Sequence, residues 1–478
     1  MRLNLSICCL AWGALAAGCA AVNTQSPPRE VPAAFDNAPS TQPARWPAQQ
    51  WYRDFSSDEL NAFIDLAVKD NSDLAVARAR VAQADARARQ AGAALLPNID
   101  AAGNASYLAG HSAQGGGHEL DWSGMLTASY EVDFWGKNRA TAESARFLAG
   151  ASRAERDAVA LTTLAGVADA YFQVLALRER QTVAQSNSDA AKQLLEVVQS
   201  RFDAGVASPV ELASEQTAYD AAQIAAVDLQ QAEVEARAAL AMLLGRVPEN
   251  FNVQGKPLDS LTEPQVAAGL PSELLTRRPD IVLAEANLRA GHADLVAARA
   301  AMFPSLSLTA GAGVQNPALP ATVLTIPGVG PSFALGASLI QPIFDHGRLQ
   351  AQRDEVQAKD TELLLAYRAA IIAALIDVEN ALSAIQHLDA AREFQVANVA
   401  HSERAFEGAK LRYQAGSGDF LTLLEAQRTL YAARDQFIRY KLARLQSLVS
   451  LCKALGGGWT QQVPPGMTAR STQRNVNQ

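Results

Sequence analysis

Arg201–Gln216 reads RFDAGVASPVELASEQ, and Arg412–Gln427 reads RYQAGSGDFLTLLEAQ. Arg201 pairs with Arg412, Ala204 with Ala415, Gly205 with Gly416, Leu212 with Leu423 and Gln216 with Gln427, all at an offset of 211 residues. Leu244-Gly245 and Leu455-Gly456 keep that offset. Upstream, Asp73, Ala77, Ala91 and Pro97 recur as Asp280, Ala284, Ala298 and Pro304 at an offset of 207. The chain is a tandem duplication whose unit is far longer than the ~20–50 residues of a solenoid period. The change of offset places a four-residue insertion between Pro304 and Arg412. Insertions settle in exposed loops rather than in packed elements.

The duplicated stretch is a helical turn. Gly205 and Gly416 suit the left-handed position that follows a helix end. Ser208, Pro209 and Glu211 then supply an N-cap, a proline at the first helical position and the acid of a capping box, and Asp419 is the cap of the second copy. Upstream of each turn lies a stretch without proline, Lys137–Ala204 and Arg348–Ala415, which predicts helices of roughly 100 Å. Downstream, the chain runs back through 209–244 and 420–455. Leu364, Tyr367, Ile371, Ala374, Val378, Ala381, Ile385 and Leu388 step alternately by three and four, as do Leu161, Leu164, Ala168, Tyr171 and Leu175. Such heptads predict a left-handed coiled-coil seam.

At the other end of each copy the period changes to two. After a helix Asp73–Leu95, stopped by Pro97, the residues Ile99, Ala101, Gly103, Ala105 and Tyr107 alternate with Asn98, Asp100, Asn104 and Ser106. Leu126, Ala128, Tyr130 and Val132 repeat the pattern, with Gly110–Asp121 expected as a flexible loop between the strands. The second copy offers Leu306, Leu308, Ala310, Ala312 and Val314, then Phe333, Leu335, Ala337 and Leu339, around a longer loop Gln315–Pro331. Alternation over about ten residues marks transmembrane β-strands, although soluble antiparallel strands alternate too. Four strands cannot close a barrel, and open edges are not tolerated in lipid. Either the sheet is soluble or several chains share one barrel.

The 478 residues are 49% hydrophobic but only 6% aromatic, which suits close-packed, alanine-rich helix faces. A net charge of −8 and a pI near 5.4 argue against a nucleic-acid partner, which calls for a basic patch. Beyond residue 18 no stretch offers ~18 consecutive apolar residues, so any membrane-spanning part is expected to be β-barrel. His111, His118 and Glu119 share a glycine-rich region, but their spacing matches no standard metal site. Cys452 reads as a small buried residue of the last helix.

Residues 1–18 read as a secretory signal: Arg2, an apolar run from Leu3 to Leu15, then Ala16-Ala17-Gly18. With Cys19 this resembles the lipobox of bacterial lipoproteins, and Ala20 resembles those sent to the outer membrane. The expected divisions are a signal at 1–18, an acylated N-terminal lead at 19–50, a first structural repeat at 51–269, a second at 270–459 and a polar C-terminal tail at 460–478.

Gly92–Pro97, Phe134-Trp135-Gly136, Gln341-Pro342-Ile343-Phe344, Arg412–Arg428 and Lys453–Trp459 together resemble the outer membrane factors, TolC-like channels, in their lipoprotein branch. The resemblance spans Trp51 to Trp459. It implies a mainly α fold with a transmembrane β-barrel: a homotrimer with four strands per chain in a twelve-stranded barrel, above a long periplasmic α-helical barrel. It implies a passive efflux duct and no enzyme, with no cofactor beyond a covalent lipid on Cys19. The partners implied are outer membrane lipid, a periplasmic adaptor and an inner-membrane pump of RND or ABC type. Matching positions make Leu421 an entrance constriction, with Glu425, Arg428, Arg412 and Tyr413 as polar links that hold it shut. Glu425 stands where aspartate is common, and Gln414 where some relatives carry arginine. The adaptor is expected at the turns of Arg201, Ala204 and Gly205 and of Arg412, Ala415 and Gly416. A pore-less periplasmic scaffold, or the same channel serving metal-ion or secretion export, are the alternative readings.

Overall fold

The computed structural model describes residues 32–37, 44–112, 115–319 and 330–459. Cys19, the segment 1–18 and the tail 460–478 lie outside the described residues. Seven helices carry the architecture: α1 Asp58–Asp70, α2 Ser72–Ala93, α3 Lys137–Asp203, α4 Pro209–Leu243, α5 Pro279–Ala300, α6 Arg348–Gln414 and α7 Phe420–Ala454. Four strands form one antiparallel sheet in sequence order: β1 Asn98–Ser112, β2 Gly115–Val132, β3 Ser305–Leu319 and β4 Gly330–Ile340.

The duplication is visible in lengths. α3 and α6 have 67 residues each, α4 and α7 have 35 each, and α2 and α5 have 22 each. The insertion therefore lies in the second hairpin. Asn98 stands opposite Ser129, 31 residues on, whereas Ser305 stands opposite Ile340, 35 residues on.

The joints are duplicated as well. Asn71 Nδ2 donates to the Leu243 carbonyl at 2.8 Å, and its counterpart Arg278 donates from Nη1 to the Ala454 carbonyl at 3.3 Å. Each bond satisfies a carbonyl left free at a helix end. Gly245 and Gly456, the landmark after each returning helix, have φ of 66° and 86° and lie against the backbone carbonyls of Asp70 and Arg277. A Cβ at either position would overlap that carbonyl oxygen, which explains why both copies close on Leu-Gly.

The expected seam is real. Tyr367, Ile371, Ala374, Val378 and Ala381 of α6 are buried, with Leu364, Ile385 and Leu388 half-buried. On α3, Ala168, Tyr171 and Leu175 are buried, and Thr163 to Leu177 is enclosed by Trp51, Phe55, Leu60, Ile64, Leu240 and Val449. This is the most apolar part of α3, and the protein's own core covers it. The 3-10 turn Trp51–Phe55 leads into α1, where Ser57 caps by accepting from the Leu60 amide at 3.2 Å.

α3 packs on α4 at the turn end and on α2 and α5 at the strand end. α7 joins α3 to α6 at the turn end and α5 joins them at the strand end, so the helices form a layer in which α4 and α2 flank α3 on one side and α6 forms the other edge. Ile224 and Val227 on α4, and Ile372, Ile376 and Phe394 on α6, are exposed in the isolated chain. The sheet also has two open edges, β1 and β4.

Three expectations need correction. Most of Gly110–Asp121 is not a loop: β1 continues to Ser112 and β2 begins at Gly115, pairing Ala109 with His118 and His111 with Gly116, and only 113–114 lie outside the described residues. Backbone hydrogen bonds set that ladder, so glycines without alternating side chains still extend it. For the same reason residues 315–319 and 330–331 of the expected loop Gln315–Pro331 belong to β3 and β4, and 320–329 lie outside the described residues. The N-terminal lead is not simply extended. Phe35 is buried against Leu274, Val378 and Leu382, the amides of Asp36 and Asn37 donate to the Glu379 carboxylate, and Arg45 pairs with Ala267.

Candidate functional site: an apolar strand face and the paired helical turns

Residues directly opposite in an antiparallel pair point to the same side. The register carries Ile99 onto Ala128, Ala128 onto Ala310 and Ala310 onto Leu335. Ala101, Leu126, Ala312 and Phe333 form the next row, and Tyr130, Leu308 and Ala337 the row on the other side. The four apolar patterns read from the sequence thus share one face. Ile99, Leu126, Leu308, Phe333, Leu335 and Leu339 on it are all exposed. Asn98, Ser129, Thr309 and Gly336 align on the opposite, largely polar face. A four-stranded sheet with one apolar face, one polar face and two open edges is a segment of a membrane barrel.

Where strands meet helices, Trp135 stacks on Phe303 with ring centroids 4.7 Å apart, and its Nε1 donates to the Pro304 carbonyl at 2.8 Å. This ties the exit of the first hairpin to the entry of the second.

At the far end, both duplicated turns are Schellman motifs. The Val206 amide donates to the Arg201 carbonyl and Gly205 to Phe202; Ser417 donates to Arg412 and Gly416 to Tyr413. Gly205 and Gly416 have φ of 73° and 72°. The Ser208–Glu211 capping box is formed, and Asp419 accepts from the Thr422 amide at 2.9 Å and its hydroxyl at 2.6 Å. Those hydrogen bonds hold the exposed Asp419 carboxyl below its usual range.

The two turns are joined. Arg201 Nη1 donates to the Tyr413 carbonyl at 3.0 Å, and its guanidinium lies 4.6 Å from the Tyr413 ring centroid. Tyr413 is buried, and burial followed by the Glu211 charge raises its hydroxyl pKa. Arg412, the counterpart of Arg201, is exposed, as are Ala204 and Ala415. Leu421 is 73% exposed; Glu425, one turn on, is exposed and lines the same surface with Ser402 and Ala405 of α6. Among the described residues Glu425 and Arg428 do not form an ion pair with each other, nor does Glu425 with any group. Arg428 instead places its charge on Glu215 of α4.

Sequence reasoning missed Glu215, which is fully buried and faces Gln427 of α7. An acid one turn after the capping-box Glu211, among alanine-rich core positions, is the signal that marks it. The described residues hold no cluster of three or more potential metal ligands.

The sequence profile of the family described as outer membrane efflux protein matches residues 63–246 and 270–457, one match per copy. The pyoverdine export outer membrane protein OpmQ of Pseudomonas aeruginosa is 43% identical over 420 residues, covering 86% of this chain and 88% of that protein. The cation efflux system protein CusC of Escherichia coli O6:H1 is 31% identical, covering 86% and 88%. The solved outer-membrane channel OprN superposes with a TM-score of 0.83 at 27% identity, over 91% of this chain and 98% of that one. With a barrel segment at one end, paired helical turns about 100 Å away along α3 and this likeness over both copies, the chain belongs to the outer membrane efflux protein family and is an outer-membrane efflux channel.

Proposed function

We propose that three copies of the chain form a passive, gated exit duct, closed at the paired turns until a periplasmic adaptor engages them. The observation that carries this is the face of α7 just beyond the second turn. Leu421 and Glu425 project from it without a partner among the described residues, and Arg428 reaches from it toward α4. Around a three-fold axis this face repeats, so three leucines narrow one opening while Glu425, Arg428, Arg412 and Tyr413 supply polar links between adjacent helices. Three four-stranded sheets close edge to edge into a twelve-stranded barrel. The exposed apolar residues of α4 and α6 support the same closure between helical layers.

Opening requires a partner that prefers the open state; inverting a 1:99 population takes roughly 5.5 kcal/mol of differential binding. The adaptor provides it by docking at the turns of Arg201, Ala204 and Gly205 and of Arg412, Ala415 and Gly416. An inner-membrane pump of RND or ABC type supplies the energy and selects the cargo, a small molecule of the kind exported through OpmQ. A lipid on Cys19 anchors the chain to the outer membrane.

The test is single-channel conductance of the purified, detergent-extracted protein in planar bilayers, native against Arg428→Ala. A small native conductance that rises several-fold in the variant is expected. Equal conductance would remove Arg428 from the gate. Silence from folded, inserted protein would defeat the duct itself.

A further inference from the structure

Beside the entrance, α4 and α7 bury a carboxyl against a carboxamide, and the two can satisfy each other only with a proton between them. Glu215 on α4 is fully buried, and Gln427 on α7 is 1% exposed. Gln427 Nε2 donates to Glu215 Oε1 at 3.4 Å and to the Tyr431 hydroxyl oxygen at 3.2 Å. Tyr431 donates its own proton to the Asn187 carbonyl of α3 at 2.7 Å. That commitment fixes the amide orientation, because the group facing Tyr431 must then be the NH2.

Two oxygens remain. Glu215 Oε2 and Gln427 Oε1 are both buried, and neither has a hydrogen-bond partner among the described residues. In the ionised pair both are acceptors, so neither can serve the other, and buried acceptors left unmade are costly. A proton on Glu215 Oε2 turns it into a donor for Gln427 Oε1. One proton thus satisfies both orphans and closes a ring of two antiparallel hydrogen bonds.

We propose that Glu215 carries a proton and forms a cyclic carboxylic acid–carboxamide pair with Gln427, which positions α4 against α7 and loosens the entrance when the proton leaves. Burial pushes the Glu215 carboxyl up to about 7, while the Gln427 hydrogen bond and the Arg428 charge act in the opposite direction. From α7 the groups facing the pair are Arg428 and Tyr431, whose hydroxyl burial keeps neutral. From α3 comes the neutral Asn187, its side-chain oxygen held by Arg434 at 3.4 Å. On α4 itself Glu211 lies one turn toward the tip, accepting from the Ser208 amide. Once ionised, Glu215 loses its bond to Gln427 Oε1 and is drawn to Arg428, on the helix that carries Leu421.

Infrared spectroscopy of the full-length protein in detergent, native against Glu215→Gln, tests the pair without reference to the gate. A protonated-carboxyl band that titrates with a midpoint near 7 and is missing from the variant is expected. Between pH 6 and pH 8 the protonated-to-ionised ratio should fall about 100-fold. Identical native and variant spectra over that range would overturn the proposal. Conductance tests the positioning, which rests on the entrance lying at the turns. Native conductance should rise from pH 6 to pH 8, while Glu215→Gln, able to make both ring bonds with no proton to lose, should stay low and flat. A variant that keeps the native pH step would overturn it.

Discussion

Arg201 lies over the ring of Tyr413 at 4.6 Å and donates to the same residue's carbonyl at 3.0 Å, so the first turn of the duplication is clasped to the second. The counterpart Arg412 makes no such contact among the described residues and is exposed. The two copies are alike in backbone and unlike in use.

Arg201→Ala should loosen the tip by about 2 kcal/mol, the sum of a charge-assisted hydrogen bond and a cation–π contact. Arg201→Lys should fall between, because an ammonium cannot stack as a planar guanidinium does. Amide hydrogen exchange over 198–204 and 411–416 is the readout; protection unchanged in both variants would show the clasp to be idle.

Gly416→Val should weaken co-purification with the adaptor. Nothing lies within 4 Å of a Cβ built there, so the cost comes from a φ of 72° alone, about 1–3 kcal/mol for a β-branched residue. Gly416→Asn tolerates that conformation and should restore most of the pairing. The same contrast is expected at Gly205. Equal recovery of adaptor with the Val and Asn variants would contradict the argument.

Cys452 should resist alkylation at pH 8 until the protein unfolds. Burial, then the nearby Asp54 charge, pushes its thiol up from 9.0 to about 12, leaving roughly one molecule in 10⁴ as thiolate. Because the folded value is the higher one, this group's contribution to stability is fully present below pH 9 and is lost as pH rises toward 12. Mass spectrometry of maleimide-treated native and denatured protein decides it.

Trp135→Phe keeps a ring on Phe303 but removes the hydrogen bond to Pro304, and should cost about 1 kcal/mol. Trp135→Ala should add a further ~1 kcal/mol for the stack. The temperature at which the oligomer dissociates on a gel should fall in that order, and equal falls in the two variants would show that the stack contributes nothing beyond the hydrogen bond.

Much of the molecule was legible because its signals are local or repeated. Gly205, Ser208 and Glu211 announce a helix end and a helix start within seven residues, and the second copy repeats the message. The step of Tyr367, Ile371, Ala374 and Val378 names the buried stripe outright. The strand tips were not legible, since Gly115, Gly116 and Gly117 have no side chains to alternate while the ladder runs on through them. Nor was the docking of Phe35, which depends on residues more than two hundred positions away. Arg201 with Tyr413, and Glu215 with Gln427, are joined across 212 residues, and no short window of sequence contains both partners.

The equal lengths of α3 and α6 make the chain a ruler with two matched scales. Each heptad adds about 10.5 Å, so a change in the distance to be spanned has to enter both helices, and both returning helices, in the same step. Seven residues inserted in α3 alone would slide Arg201 two turns past Tyr413, whereas four extra residues in the second hairpin have left every helix in step. The outer end of the molecule is free to vary in length; the end that reaches inward is calibrated.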